Sequence, residues 1–142
     1  MNFFETGGEE ETIELGRRIA ATLPKRAVVL LIGNLGAGKT TLAKGIINGL
    51  GVAEPEDVVS PTFTLIHEYG EGRVYHIDLY RLDRAEEAAT LGLEEIFDRE
   101  AVVLIEWGER FLGLMPERRL EIRLEGVGDE ARRIKISGHA VS

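Results

Sequence analysis

The chain has 142 residues, of which 44% are hydrophobic and 30% charged, a globular makeup that excludes intrinsic disorder. Its length sets one domain, residues 1–142, with a core of ordinary size. With 25 acidic against 17 basic residues the net charge is -8, which argues against unassisted nucleic-acid binding, and the lack of cysteine removes disulfides, thiolate metal sites and a cysteine nucleophile.

The start, Met1-Asn2-Phe3-Phe4-Glu5, lacks the basic region and apolar run of a secretion signal, and the longest apolar run, residues 27–32, is too short to cross a bilayer. A cytoplasmic protein without a membrane partner is the expectation. Thr6-Gly7-Gly8-Glu9 has capping-box spacing, after which Thr12, Leu15, Gly16, Ile19, Ala20 and Leu23 share one helical face up to Pro24. Glu9, Glu10 and Glu11 suit the positive end of that helix better than they suit a metal cluster. Residues 27–32 are aliphatic without alternation, which predicts a strand covered on both faces in a parallel sheet. From Lys39 onward Leu42, Ala43, Ile46, Ile47 and Leu50 repeat with helical period until Gly51. Ser60-Pro61 breaks the chain, and residues 63–69 and 73–80 read as two strands joined through Gly70-Glu71-Gly72. Asp83-Arg84-Ala85-Glu86 has the look of another capped start, for a helix running to Leu91-Gly92. Residues 101–105 predict a second central strand, and the strict alternation at 120–124 and 133–136 predicts half-exposed antiparallel strands at the sheet edge.

Between the first buried strand and the next helix, Gly33-Asn34-Leu35-Gly36-Ala37-Gly38-Lys39-Thr40 fits the phosphate-loop pattern G-x-x-x-x-G-K-[ST]. Glycines let such a loop curl so that backbone N–H groups at Asn34, Leu35, Gly36, Ala37 and Gly38 face phosphate oxygens, aided by the helix N-terminus. Lys39 is expected to reach the β/γ oxygens, Thr40 to ligate Mg²⁺, and Thr41 to donate on the α-phosphate side. The loop does not choose between ATP and GTP. The fold class expected is therefore α/β: a single P-loop NTPase domain with a mixed, largely parallel central sheet, flanking helices and antiparallel edge strands.

Hydrolysis at such a loop needs a carboxylate near the metal and a group to orient water. Asp78 and Glu106 each close an apolar strand, and strand carboxyl ends line the ligand crevice of open parallel sheets. If both strands neighbour the one before the loop, both carboxylates face the phosphates. Thr62, in Ser60-Pro61-Thr62-Phe63-Thr64, lies where switch loops contact the γ-phosphate. Trp107, the single tryptophan, is either core packing or a contact to nucleotide or a partner. His67, His76 and His139 show no metal-ligand spacing and read as strand or tail residues. The arginine pairs Arg17/Arg18, Arg118/Arg119 and Arg132/Arg133 read as solvated faces and ion-pair partners, with Arg132 and residues 6–12 as candidates to approach the base.

The loop at 33–41, the stretch Ser60-Pro61-Thr62-Phe63-Thr64-Leu65, the stretch His76-Ile77-Asp78-Leu79-Tyr80-Arg81-Leu82 and Ile105-Glu106-Trp107 follow one another in an order that closely resembles the TsaE family. This is a family of small P-loop ATPases in bacterial tRNA threonylcarbamoyladenosine synthesis, and the resemblance spans nearly the whole chain. It implies ATP and Mg²⁺ as cofactors and hydrolysis that is slow without partners. It also implies TsaD and TsaB as partner proteins, with tRNA contacted mainly through them, and hydrolysis that resets the complex rather than forming the modification bond. It further implies that Thr40 binds Mg²⁺, that Glu106 stands close to the metal, and that Thr62, Asp78 and Trp107 matter for activity; with Lys39 and Glu106 these complete the expected catalytic set, and Asp78 is the second candidate neighbour of the metal, the order of the two acids being left open. Two other functions compete. A small-molecule kinase shares the same start and would need an arginine lid, for which Arg110, Arg118 and Arg119 are the candidates. A non-catalytic nucleotide-dependent binding module would leave Glu106 merely structural.

Overall fold

A strand that is apolar on both faces needs cover on both, and the two unbroken apolar runs of this chain lie side by side in the middle of its sheet. The computed structural model of the protein describes residues 2–138. Its strands are β1 (Asn2–Thr6), β2 (Ala27–Ile32), β3 (Ile66–Tyr69), β4 (Val74–Asp78), β5 (Val102–Glu106), β6 (Leu120–Gly126) and β7 (Arg132–Gly138). The helices are α1 (Glu9–Ala20), α2 (Lys39–Gly49), α3 (Ala85–Ala89) and α4 (Leu93–Phe97). The sheet order is β1-β7-β6-β2-β5-β4-β3. The four central strands β6, β2, β5 and β4 run parallel, while β7 pairs antiparallel with β6 and β1, and β3 antiparallel with β4.

Two cores sandwich the sheet. On one face Leu42, Ile46 and Ile47 of α2 and Leu15 and Ile19 of α1 cover Val29, Leu31, Leu104, Ile122 and Ile134. On the other, Leu93, Ile96 and Phe97 with Phe111 cover Val28, Leu30, Val103 and Ile105. Helices α1 and α2 touch backbone to backbone: a Cβ added to Gly16 would lie 2.6 Å from the Leu42 carbonyl oxygen, and one on Gly45 would overlap the carbonyl of Ile13. This close approach seats α1 directly against the helix that the phosphate loop enters.

Several elements differ from expectation. Residues 2–6, not read as a strand, form β1, and Thr6 is paired there with Arg132 rather than capping α1. Gly8 is the N-cap, Thr6 Oγ1 bonds Thr12 Oγ1 at 2.8 Å, and the Gly7 N–H donates to Glu11 Oε1 at 3.0 Å. The strand expected at 63–69 begins only at Ile66, because a turn closed by the Leu65 N–H to the Pro61 carbonyl (2.7 Å), with Leu65 at φ 69°, lifts residues 62–64 out of the sheet. The cap of α3 falls one residue late: Glu87 Oε1 accepts the N–H groups of Asp83 and Arg84 at 3.2 and 3.1 Å, and a second short helix, α4, follows Gly92. Neither β6 nor β7 is an edge. Their alternation reports a sheet face left without helices, while the edges themselves are β1 and β3. His139 lies outside the described residues.

Candidate nucleotide-binding site

The parallel strands all point their carboxyl ends to one rim, so the loop after β2 and the acids ending β4 and β5 meet there. A cleft of about 350 Å³ opens at this rim, lined by Leu35, Gly36, Gly38, Lys39, Thr40, Thr41, Ser60, Thr62, Asp78, Tyr80, Glu106, Trp107 and Arg132. Gly36 and Gly38 adopt φ of 77° and 97°, a region L side chains avoid, and Gly38 is the N-cap from which α2 starts. Asn34 and Ala37 line a neighbouring groove with Arg123, Leu124 and Lys135, and the Ala37 N–H donates to the Asn34 carbonyl at 3.0 Å.

Strand order decides how the acids divide. Only β5 neighbours β2, with Leu31 opposite Glu106, and β4 lies one strand further out with Asp78 opposite Glu106. The conditional placement of both acid-bearing strands beside β2 is therefore corrected: β5 takes the near place because its all-apolar run fills the centre. Thr40 Oγ1 lies 3.2 and 3.1 Å from the two Glu106 oxygens. Asp78 is engaged from the other side: its Oδ1 accepts the Tyr80 N–H at 2.8 Å, and its Oδ2 accepts the hydroxyls of Thr62 at 3.1 Å and Ser60 at 3.4 Å. Glu106 is thus joined to the phosphate loop, and Asp78 to the loop that carries Thr62.

Lys39 is buried, with Nζ donating to the Gly33 carbonyl at 2.7 Å and standing 3.5 Å from the centre of the Trp107 ring. Burial holds the Lys39 ammonium below the usual lysine range, against the opposing pull of the Glu106, Glu109 and Asp78 carboxylates. Trp107 packs on Tyr80 (5.2 Å between ring centres) and holds φ at 66°, a left-handed conformation that strains a bulky residue. Arg132 Nη2 donates to the Gly36 carbonyl at 3.1 Å. With Glu9, Thr12 and Glu130 it also shapes a recess of about 80 Å³ beside Gly38 and Thr41.

Two residues escaped the sequence reading. His76, fully buried on β4, places Nε2 2.7 Å from Glu106 Oε2. Its two-residue spacing from Asp78, which puts both on one strand face, was the available signal. Glu109 stands near Lys39, Arg123 and Arg110; burial pushes its carboxyl above the usual range, and its Oε1 has no partner among the described residues. Nothing in its spacing marks it.

Thr40 and Glu106 offer hard oxygen donors, and among the described residues no three His, Cys, Asp or Glu gather to hold an ion alone. That set fits Mg²⁺, which favours few carboxylates completed by phosphate oxygens and water. Of the three arginines named for a kinase lid, Arg110 stands beside the cleft, its Nη1 donating to the Tyr80 carbonyl at 2.7 Å, and the other two do not join it. Arg119 binds Glu121 and the Pro116 carbonyl at the start of β6, and Arg118 borders a groove with Arg26 and Phe97, both at the end of the sheet away from the cleft. Among the described residues no helix is long and apolar enough to cross a membrane.

The family profile described as "Threonylcarbamoyl adenosine biosynthesis protein TsaE" matches residues 6–134. A tRNA threonylcarbamoyladenosine biosynthesis protein TsaE of Bacillus subtilis is 41% identical over 92% of this chain and 82% of its own length. A protein of the same description from Nostoc is 45% identical over 88% and 78%, and one from Treponema pallidum 38% identical over 90% and 94%. The crystal structure of Bacillus subtilis YdiB superposes with a TM-score of 0.78 at 35% identity, covering 96% of this chain and 84% of that one.

Proposed function

The chain belongs to the TsaE family of tRNA threonylcarbamoyladenosine biosynthesis proteins, and from that premise we propose that its cleft binds ATP with Mg²⁺ and hydrolyses it to ADP and phosphate. The observation that carries this reading is the meeting of Thr40 with Glu106, 3.1 to 3.2 Å apart, beside Lys39 at the mouth of a glycine loop. When bound, Mg²⁺ neutralises charge developing on the phosphate oxygens.

The protein groups divide the work. Positive φ at Gly36 and Gly38 and the N-terminus of α2 present backbone N–H groups to the phosphates. Lys39 exchanges the Gly33 carbonyl for a phosphate oxygen, its burial sharpening the charge it offers. Thr62, tied to Asp78, orients water on the terminal phosphate. The water oxygen bonds to phosphorus as the bridging P–O bond breaks; one water proton stays on the new phosphate, the other passes to solvent, and ADP and phosphate leave. Leu35, Phe63 and Tyr80 are exposed apolar side chains available to TsaD and TsaB, and hydrolysis that is slow alone resets the complex in the cytoplasm. An anionic chain leaves tRNA contact mainly to those partners.

Phosphate release by the wild type and by Lys39→Met, with and without Mg²⁺ and the partner proteins, tests this. Hydrolysis that needs Mg²⁺, rises with partners and is lost in Lys39→Met is expected. Unchanged hydrolysis in Lys39→Met, or transfer of phosphate to nucleosides or sugars in place of water, overturns it.

A further inference from the structure

We propose that His76 is a positioning residue for Glu106: its Nε2–H grips Oε2 of the carboxylate and thereby holds the group facing Thr40, with which it would share a divalent cation. The proposal rests on the reading of the cleft as a Mg²⁺-nucleotide site and adds to it the group that holds the carboxylate in place.

A side chain at the centre of a sheet is ordinarily aliphatic, as Val74 and Leu104 are on the same face of β4 and β5. His76 replaces such a residue with a polar ring that is 0% exposed, and its Nδ1 has no hydrogen-bond partner among the described residues. A buried imidazole with an unmet nitrogen is costly, and an aliphatic side chain would fill the space more cheaply. What the ring gains is one short contact, 2.7 Å, to a carboxylate that is itself buried. Because Nδ1 meets no acceptor, the ring N–H belongs on Nε2, which makes His76 the donor and Glu106 the acceptor.

The other donor to Glu106 is the single hydroxyl proton of Thr40, shared between both carboxylate oxygens at 3.2 and 3.1 Å. A hydroxyl that ligates a cation through a lone pair keeps its one proton to donate, but that proton serves one carboxylate oxygen at a time and leaves the other without a hold from that side. His76 approaches from behind, from within the sheet, and keeps its hold whichever way Thr40 turns. Groups placed in this way behind a metal-facing ligand orient it, and removing them typically weakens metal affinity by about 10- to 100-fold.

The test uses the whole chain with Mn²⁺ as the probe, its binding followed by electron paramagnetic resonance in the presence of a non-hydrolysable ATP analogue. Trp107, the single tryptophan, reports analogue binding without metal by fluorescence. His76→Leu is expected to lose about 10- to 100-fold in Mn²⁺ affinity while binding the metal-free analogue as the wild type does. His76→Gln, whose amide nitrogen falls near the position of Nε2, is expected to restore most of the loss. Equal Mn²⁺ affinity in His76→Leu and wild type, or equal losses in the leucine and glutamine variants, overturns the role of His76. A wild type that binds the analogue but no Mn²⁺ overturns the reading of the site itself. Should the variants fail to fold, imidazole nitrogen resonances of the wild type decide: a ring that carries a proton on Nε2 supports the proposal, and one that carries it on Nδ1 alone overturns it.

Discussion

Gly45→Ala places one methyl group where α1 and α2 touch, and the structure sets how much it costs. The new Cβ would overlap the Ile13 carbonyl oxygen and lie 2.8 Å from its carbon and 3.0 Å from the Cα of Gly16. Every one of these neighbours is backbone, so relief requires moving a helix rather than turning a side chain. Overpacking of this kind costs about 1–3 kcal/mol, and the rigid partner puts this site near 3. Alanine returns about 1 kcal/mol through its better helix propensity, leaving a net loss of about 2 kcal/mol. At an unfolding entropy of about 2.1 cal/mol/K per residue, the 142-residue chain loses about 7 °C in Tm. The shift also carries Thr12 and Glu9 away from Gly38 and Thr41, with which they share a recess, so nucleotide affinity is expected to fall as well. Scanning calorimetry of the variant beside Gly113→Ala, whose added Cβ meets nothing within 4 Å, provides the measurement and its control. A Gly45→Ala protein melting within about 2 °C of wild type would refute the claim that backbone contact sets the spacing of these helices.

Thr62→Val removes the shorter, at 3.1 Å, of the two hydroxyl contacts that tie the 60–62 segment to Asp78. Misplacing an attacking group by about 1 Å costs about 10²-fold, so turnover should fall by up to that factor with ATP affinity retained, as steady-state phosphate release and calorimetric binding will show. Arg132→Ala deletes an exposed hydrogen bond to the Gly36 carbonyl, worth at most about 1 kcal/mol, and with the phosphate loop less firmly held should raise the Kd for ATP by no more than about fivefold, as calorimetric titration will show. For Glu109, burial raises the carboxyl pKa in the folded state, so its contribution to stability is full below the ordinary value of 4.5 and is lost as pH rises through the raised one. Glu109→Gln should therefore gain in Tm relative to wild type as pH climbs from about 4 toward 7. A Tm difference that stays constant over that range would show that the buried charge costs nothing.

What could be read from the chain alone was whatever is local. A buried strand, a glycine turn and a helix follow one another within residues 27–50, so the phosphate loop, Lys39 and Thr40 are written as spacing. Asp78 and Glu106 were legible because each ends an apolar run, and strand ends face the crevice. Alternation at 120–136 correctly marked one bare sheet face but not its place, since a strand with one bare face can lie inside a sheet as readily as at its edge. The tertiary structure decided which acid meets Thr40, that His76 stands behind Glu106 from 30 residues away, and that Leu65 lifts Thr62 toward Asp78. Strand order arises from covering all the apolar faces at once, a condition shared by every element, and no short stretch of residues carries it.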